Sequence, residues 1–156
     1  MKKLIVILAA MIMSAAALSA QNADSILGTY LSEEGTGKIK ITKADGKYIG
    51  TLIWTVVEGA LDVKNPDKSL RSKALAGKVI LKDMTFDAGK NEWKGGTIYD
   101  PESGNTYKAT VKRKENGDLT LRGYVGVPTF GRNSFWTKVS EERTSPRCGP
   151  TRQAVP

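Results

Sequence analysis

Apolar and polar residues alternate with period two along most of the chain, in short runs broken by Gly, Asn, Asp and Pro. Lys38-Ile39-Lys40-Ile41-Thr42-Lys43 is the clearest run and reads as a strand with one wet face. Tyr107 to Lys114 behaves likewise, with Tyr107, Ala109 and Val111 on one face and Lys108, Thr110 and Lys112 on the other. Ile26 to Leu31, Tyr48 to Val57, Lys78 to Leu81 (extended by Met84 to Phe86), Leu119 to Val127 and Ser134 to Val139 supply further strands. Between them, Trp93 to Tyr107 forms a hairpin. Its turn, Asp100-Pro101-Glu102-Ser103-Gly104, combines a proline that presets φ, an aspartate that accepts backbone N–H groups and a glycine able to take positive φ. Asp45-Gly46 and Asn116-Gly117 are tight-turn signals, and Gly95-Gly96 marks a bulge or a close approach to the backbone.

These runs amount to about eight short strands without an amphipathic helix. Their short connections leave no room for crossover helices, so neighbours are antiparallel. An up-and-down barrel is favoured over a sandwich, because closure lets the two sheet edges pair with each other. Alternation directs Ile39, Ile41, Ala109, Val111, Leu119 and Leu121 inward. One long segment, Glu58 to Gly77, lies between the third and fourth strands and lacks strand periodicity. Pro66 can open a turn or a short helix there, carrying Leu70, Arg71 and Leu75.

Composition changes the picture at both ends. Lys2-Lys3, the apolar run Leu4 to Met13 and the small residues up to Ala20 have the form of a secretory signal peptide over residues 1–20. Its removal leaves 136 of 156 residues, with the barrel domain at 25–139, and lowers the formal charge from +8 to +6. The expected location is periplasmic or secreted. The remaining lysines are spread along the strands and turns, a pattern that serves solubility and edge protection and argues against nucleic acid. An anionic surface or an envelope protein suits them better as a partner. Residues 140–156 form a basic tail without periodicity, expected to be disordered, and Cys148 there is the only cysteine. With no histidine in the chain, Ser-His-Asp triads, Cys-His pairs and histidine zinc sites are excluded, and no intramolecular disulfide can form.

An ordered set of motifs remains: Leu61-Asp62, Asn65-Pro66-Asp67, Leu70-Arg71, Gly95 through Pro101, Ser103-Gly104 with Tyr107, Arg122 through Gly126, Phe130-Gly131-Arg132 and Trp136. Taken together it resembles the bacterial exported family known as domain of unknown function 2147 (DUF2147), over roughly Leu27 to Val139. The chain departs from that family's pattern in having Tyr30 where a tryptophan is common and in its tail beyond Val139. The resemblance implies a lipocalin-like barrel in the periplasm or at the surface, and carries no activity or cofactor with it.

The candidate site is the polar set Asp62, Asn65, Arg71, Tyr99, Asp100, Tyr107 and Arg132. Arginine beside a carboxylate at a tyrosine-lined mouth can hold an anionic headgroup while the interior takes an apolar tail. The expected function is a non-enzymatic binding protein for a small amphiphilic or anionic ligand. The alternatives are a structural or protein-interaction module of the envelope with a filled barrel and, more weakly, a hydrolase using Asp62 and Asp100. Equally, Asp62, Asn65 and Arg71 can simply tie the long loop down, and Asp100 can cap its turn. Asp62, Asn65 and Asp67 invite a calcium reading, but their spacing is not that of an EF-hand. Trp54, Trp93, Trp136, Tyr48, Tyr99, Tyr107 and Tyr124 either line a cavity or fill the barrel.

Overall fold

The computed structural model describes residues 22–140. The expected signal peptide and the tail with Cys148 lie outside these residues. Eight antiparallel strands close into an up-and-down barrel: β1 (Gly28–Leu31), β2 (Gly37–Ala44), β3 (Lys47–Thr55), β4 (Val79–Asp87), β5 (Glu92–Asp100), β6 (Asn105–Arg113), β7 (Leu119–Tyr124) and β8 (Arg132–Val139). Closure is made by β1 against β8, with Thr29 opposite Val139 and Leu31 opposite Thr137. Among the described residues, closure leaves no sheet edge free to pair with another chain.

The alternation carries over into the barrel. Ile39, Ile41, Ala109, Val111, Leu119 and Leu121 are all buried, and they pack with Tyr30, Tyr48, Leu52, Leu81, Met84, Trp93, Ile98 and Trp136. At three points a Cβ on the wall would crowd its neighbours, least at Gly37, where the obstacle is the adaptable end of Leu52, and most at Gly96, where it is backbone. A Cβ at Gly37 would lie 2.7 Å from Leu52 Cδ1, one at Gly50 2.9 Å from Leu81 Cβ, and one at Gly96 2.0 Å from the Lys82 carbonyl oxygen. Gly95-Gly96 is therefore both of the things its sequence suggests. Gly95 has φ of +81°, the register shifts between Trp93 and Gly96, and β4 runs hard against the bulge.

The two ends of the barrel differ. The β2–β3, β4–β5 and β6–β7 turns meet at one end, and there a 3₁₀ turn at Asp24–Ile26 closes the barrel. Ile26 is fully buried, and its carbonyl accepts from Tyr30 Oη at 2.8 Å. Trp93 Nε1 donates to the Ala23 carbonyl, and Tyr48 Oη donates to Asp24, whose carboxylate also pairs with Lys43. Those aromatics fill the floor and hydrogen-bond the plug, satisfying both the apolar rings and their polar tips. The β1–β2, β3–β4, β5–β6 and β7–β8 connections meet at the opposite, open end.

Several boundaries differ from the sequence reading. Ile26 belongs to the plug and not to β1. β3 stops at Thr55, because Val56 N–H turns to the Thr36 carbonyl and Thr55 Oγ1 holds the Val57 carbonyl. β7 ends at Tyr124, where Gly126 takes φ of +76° and Pro128 opens a 3₁₀ turn to Phe130; β8 then begins early, at Arg132. The long loop contains a 3₁₀ turn at Lys68–Leu70, capped by Asp67, and Leu75 lies beyond it. A register shift at Lys38/Ile39 also leaves Ile53 unpaired and turns Trp54 to the outer face opposite Lys38, where it is 41% exposed. Trp54 thus does not line the interior.

Candidate functional site

The residues of the polar set separate into two groups, one on each side of the barrel wall. Ile98 and Leu81 are paired inward-facing neighbours, so Tyr99 and Ile80, the next positions on β5 and β4, look outward. Both are nevertheless buried, because the long loop folds over this outer wall. Asp62 is 1% exposed at the centre of the contact. Its Oδ1 accepts from Tyr99 Oη at 2.5 Å, and its Oδ2 from Asn65 Nδ2 and from Lys78 Nζ, each at 2.6 Å. The Lys78 ammonium also stands 4.4 Å from the Tyr99 ring centroid. Burial pushes the Asp62 carboxyl up, but the donations from Lys78, Tyr99 and Asn65 outweigh it and hold the pKa below the usual carboxylate range. Tyr99 is pushed well above an ordinary phenol, first by burial and then by its bond to Asp62.

The rest of the loop is tied by its own backbone. Asp62 N–H donates to Lys73 O and Leu75 N–H to Ala60 O, while Leu52 and the Lys78 carbonyl close its base. Asn65 Oδ1 accepts from Asp67 N–H, and Asp67 Oδ1 caps Ser69. Both Asp62 oxygens, Asn65 Oδ1 and Asp67 Oδ1 are thus engaged by protein donors, which disfavours them as a calcium ligand set. Arg71 is exposed, with Nε donating to the Asn65 carbonyl at 2.8 Å. Asp100 caps its turn: Oδ1 accepts from Glu102 N–H and Oδ2 from Ser103 Oγ. Gly104, at φ +74°, carries the loop's weight, since a Cβ there would lie 2.0 Å from the Lys64 carbonyl oxygen. Lys78, the fourth member of the cluster, escaped the sequence reading; it looked like one more dispersed lysine at a strand start.

The second group faces the inside of the open end. Tyr107 lies opposite inward-facing Ile98, and Arg132 opposite Gly123, which pairs in turn with inward-facing Ala109. A Cβ at Gly123 would meet Ile98 Cγ2 at 3.5 Å and Tyr107 Cβ at 3.6 Å, so these residues share one mouth. Tyr107 is half-buried and Arg132 exposed. Among the described residues no carboxylate lies within ion-pair distance of Arg132. Arg71 and Arg132 stand at the same end, but the loop bearing Arg71 rises between β3 and β4, while Arg132 opens β8. In a ring of eight strands those positions are nearly opposite, so the two arginines belong to different sides of that end.

Apolar side chains flank the mouth at two places. Among the described residues, Ile53, Trp54 and Phe135 are exposed on strand faces and Leu61, Val63 and Leu70 on the loop over the outer wall, while Val56 and Val57, just past β3, and Val125, Val127 and Phe130, between β7 and β8, are exposed at the open end itself. The alternating pattern that reveals strands gives no warning of this last group, since its residues sit where strands have ended. A separate recess of about 940 Å³ lies at the closed end, where β1, β2 and β8 meet, with Thr29, Ile41, Lys43 and Lys138 in its lining; it is broadly open to solvent and distant from the mouth.

No curated protein sequence matches the chain. A similar solved structure is that of protein HP1028 from the human pathogen Helicobacter pylori, described as belonging to the lipocalin family. It has a TM-score of 0.68 and 28% sequence identity, with 75% of this chain and 84% of that one covered. The fold is lipocalin-like, an architecture suited in general to holding a small ligand. The model of the family described as "Uncharacterized protein conserved in bacteria (DUF2147)" matches residues 28–138, and the chain belongs to that family.

Proposed function

We propose that the chain is an exported, non-enzymatic binding protein that takes a small anionic amphiphile at the open end of its barrel. The observation that carries this reading is the contrast between the ends: Ile26 is fully buried in a hydrogen-bonded plug at one, while the other exposes Val56, Val57, Val125, Val127 and Phe130 beside a mouth that holds Tyr107 and Arg132. In the mouth, Arg132 supplies a guanidinium for a carboxylate or phosphate, and those side chains receive the apolar tail. Packing around Gly37, Gly50 and Gly96 leaves little depth below, so the ligand sits shallowly. Asp62 and Asp100 are engaged by protein donors, which disfavours a hydrolase built on them.

Native mass spectrometry of protein from its own host, compared with denatured extracts, tests for a retained ligand. Displacement of anilinonaphthalene sulfonate by myristate then tests the site. Arg132→Gln is expected to weaken displacement about tenfold with unchanged thermal stability. Displacement that is unaffected by that change would reject the site.

The filled interior lends support to a second reading, an envelope interaction module without a small ligand. It requires that no amphiphile is retained and that myristate neither displaces the dye nor raises the melting temperature.

A further inference from the structure

The connection between β7 and β8 is an apolar projection held rigid. From Gly123 to Gly131 it reads GYVGVPTFG, without one charged residue. Val125 is 73% and Phe130 84% exposed, values that leave nearly the whole of each side chain in water. Such a tip, if unused, would be expected to collapse or to be mobile. This one is clamped instead. Arg122 Nε donates to the Pro128 carbonyl at 2.6 Å, one terminal nitrogen to the Thr129 carbonyl at 3.0 Å, and the other to Asn133 Oδ1 at 2.7 Å. Gly131 lies so close to β7 that a Cβ would be 2.8 Å from the Gly123 carbonyl oxygen. Two donors of one guanidinium thus fix the loop and a third ties it to β8, while Val125 and Phe130 stand largely in water, which is preorganisation for an external apolar partner.

The flanking charges indicate which partner. Arg122 and Arg132 bound the uncharged run on both sides, and among the described residues neither forms an ion pair. Glu33, the carboxylate that reaches β8, is taken up by the Phe135 amide at 3.2 Å. The neighbouring turns carry Glu33, Glu34 and Glu102, so attraction to an anionic surface is local to the projection and tilts it, not the whole end, towards that surface. We propose that Val125 to Phe130 inserts its apolar tip into the headgroup region of an anionic bilayer, with Arg132 against lipid phosphates. An uncharged tip carrying valines and phenylalanine, with tyrosine and arginine at its base, matches the polarity gradient of that interface. Because Arg132 also faces the mouth, docking would bring the mouth to the source of an amphiphile; insertion itself does not depend on the mouth binding one.

Flotation with vesicles of phosphatidylcholine, with and without phosphatidylglycerol, tests the proposal. The chain is expected to float with the anionic vesicles and to be released by salt. Phe130→Ser should weaken binding about tenfold, and Arg132→Gln about fivefold on anionic vesicles only. Phe130→Ser leaves the fold intact, because its side chain makes no buried contact. As a second readout, Phe130→Trp in a Trp54→Phe background should show a blue-shifted emission on adding anionic vesicles, since Trp54 is exposed while Trp93 and Trp136 are already buried. The proposal is overturned if the chain floats with neither vesicle, or if Phe130→Ser floats as well as the parent. A concentration-dependent dimer abolished by Phe130→Ser without lipid would overturn it too, in favour of a second copy as the partner.

Discussion

The Tyr99 hydroxyl donates to the Asp62 carboxylate at 2.5 Å, joining the outer face of β5 to a residue 37 positions earlier in the long loop. This bond places the loop beside the barrel and leaves the mouth uncovered. A buried carboxylate deprived of a donor keeps its desolvation cost without the compensating bond. Tyr99→Phe is therefore expected to destabilise the chain by about 1–2 kcal/mol, and Asp62→Asn by about 2–3 kcal/mol, since it also strands the Lys78 ammonium. Amide exchange over residues 58–78 should speed up more than exchange in β6 and β7. Equal acceleration in all three would mean that the cluster supports the barrel as a whole, not the loop.

The same cluster sets an acid limit. The folded pKa of Asp62 is depressed below its unfolded value, so as pH falls the unfolded chain takes up the proton first. The stability contributed by Asp62 is complete above about pH 4 and disappears as pH drops through the lower, folded value. Melting temperature should be nearly flat from neutral to mildly acidic conditions and fall below about pH 4. In Asp62→Asn the acid limb should be shallower. An unchanged slope would transfer the effect to Asp24 and Asp87, whose carboxyls are also depressed, chiefly by hydrogen bonds from Lys43 and Lys94.

The barrel was legible because its signals are local. Ile39 and Ile41 alternate with lysines, Asp45-Gly46 takes positive φ at both positions, and Gly104 takes the positive φ its turn requires. Trp54 was misplaced for a physical reason: one unpaired residue, Ile53, reverses every facing beyond it, and no residue type announces that shift. The polar set was found as a list but not as an arrangement. Asp62 and Tyr99 face each other only because the loop crosses the outside of the wall, and Arg71 and Arg132 are held apart by strand order, which is a property of closure. Ile26 read as strand because it is apolar; its work as a plug is decided by Tyr30, Trp93 and Tyr48 beneath it.

The closed end should be sensitive to volume. Ile26→Ala removes fully buried methyl groups at a site walled by aromatic rings that cannot easily collapse inward, and is expected to cost about 2–5 kcal/mol in chemical denaturation. Gly96→Ala should be worse than ordinary strand substitutions. Its Cβ would fall on the backbone oxygen of Lys82, which moves only if β4 shifts, and the expected result is loss of several kcal/mol or failure to fold. A loss at Ile26→Ala of under about 1 kcal/mol would show the 3₁₀ turn to be an ornament on an already stable barrel.

The two arginines of the polar set should answer differently to the same change. Arg71 uses its Nε–H to hold the carbonyl of buried Asn65 at the corner of the long loop, a directional bond from a planar group that lysine cannot reproduce. Arg71→Lys should therefore lower stability by about 1 kcal/mol and leave ligand binding at the mouth unchanged. Arg132 makes no comparable bond among the described residues, so Arg132→Lys should leave the melting temperature alone. It should nevertheless weaken myristate binding several-fold, because a bidentate guanidinium contact becomes a single ammonium contact. Thermal unfolding and dye displacement on the two variants, run side by side, separate the roles. If Arg71→Lys instead weakens binding at constant stability, the anion sits on the long loop outside the barrel, and Arg132 has no part in holding it.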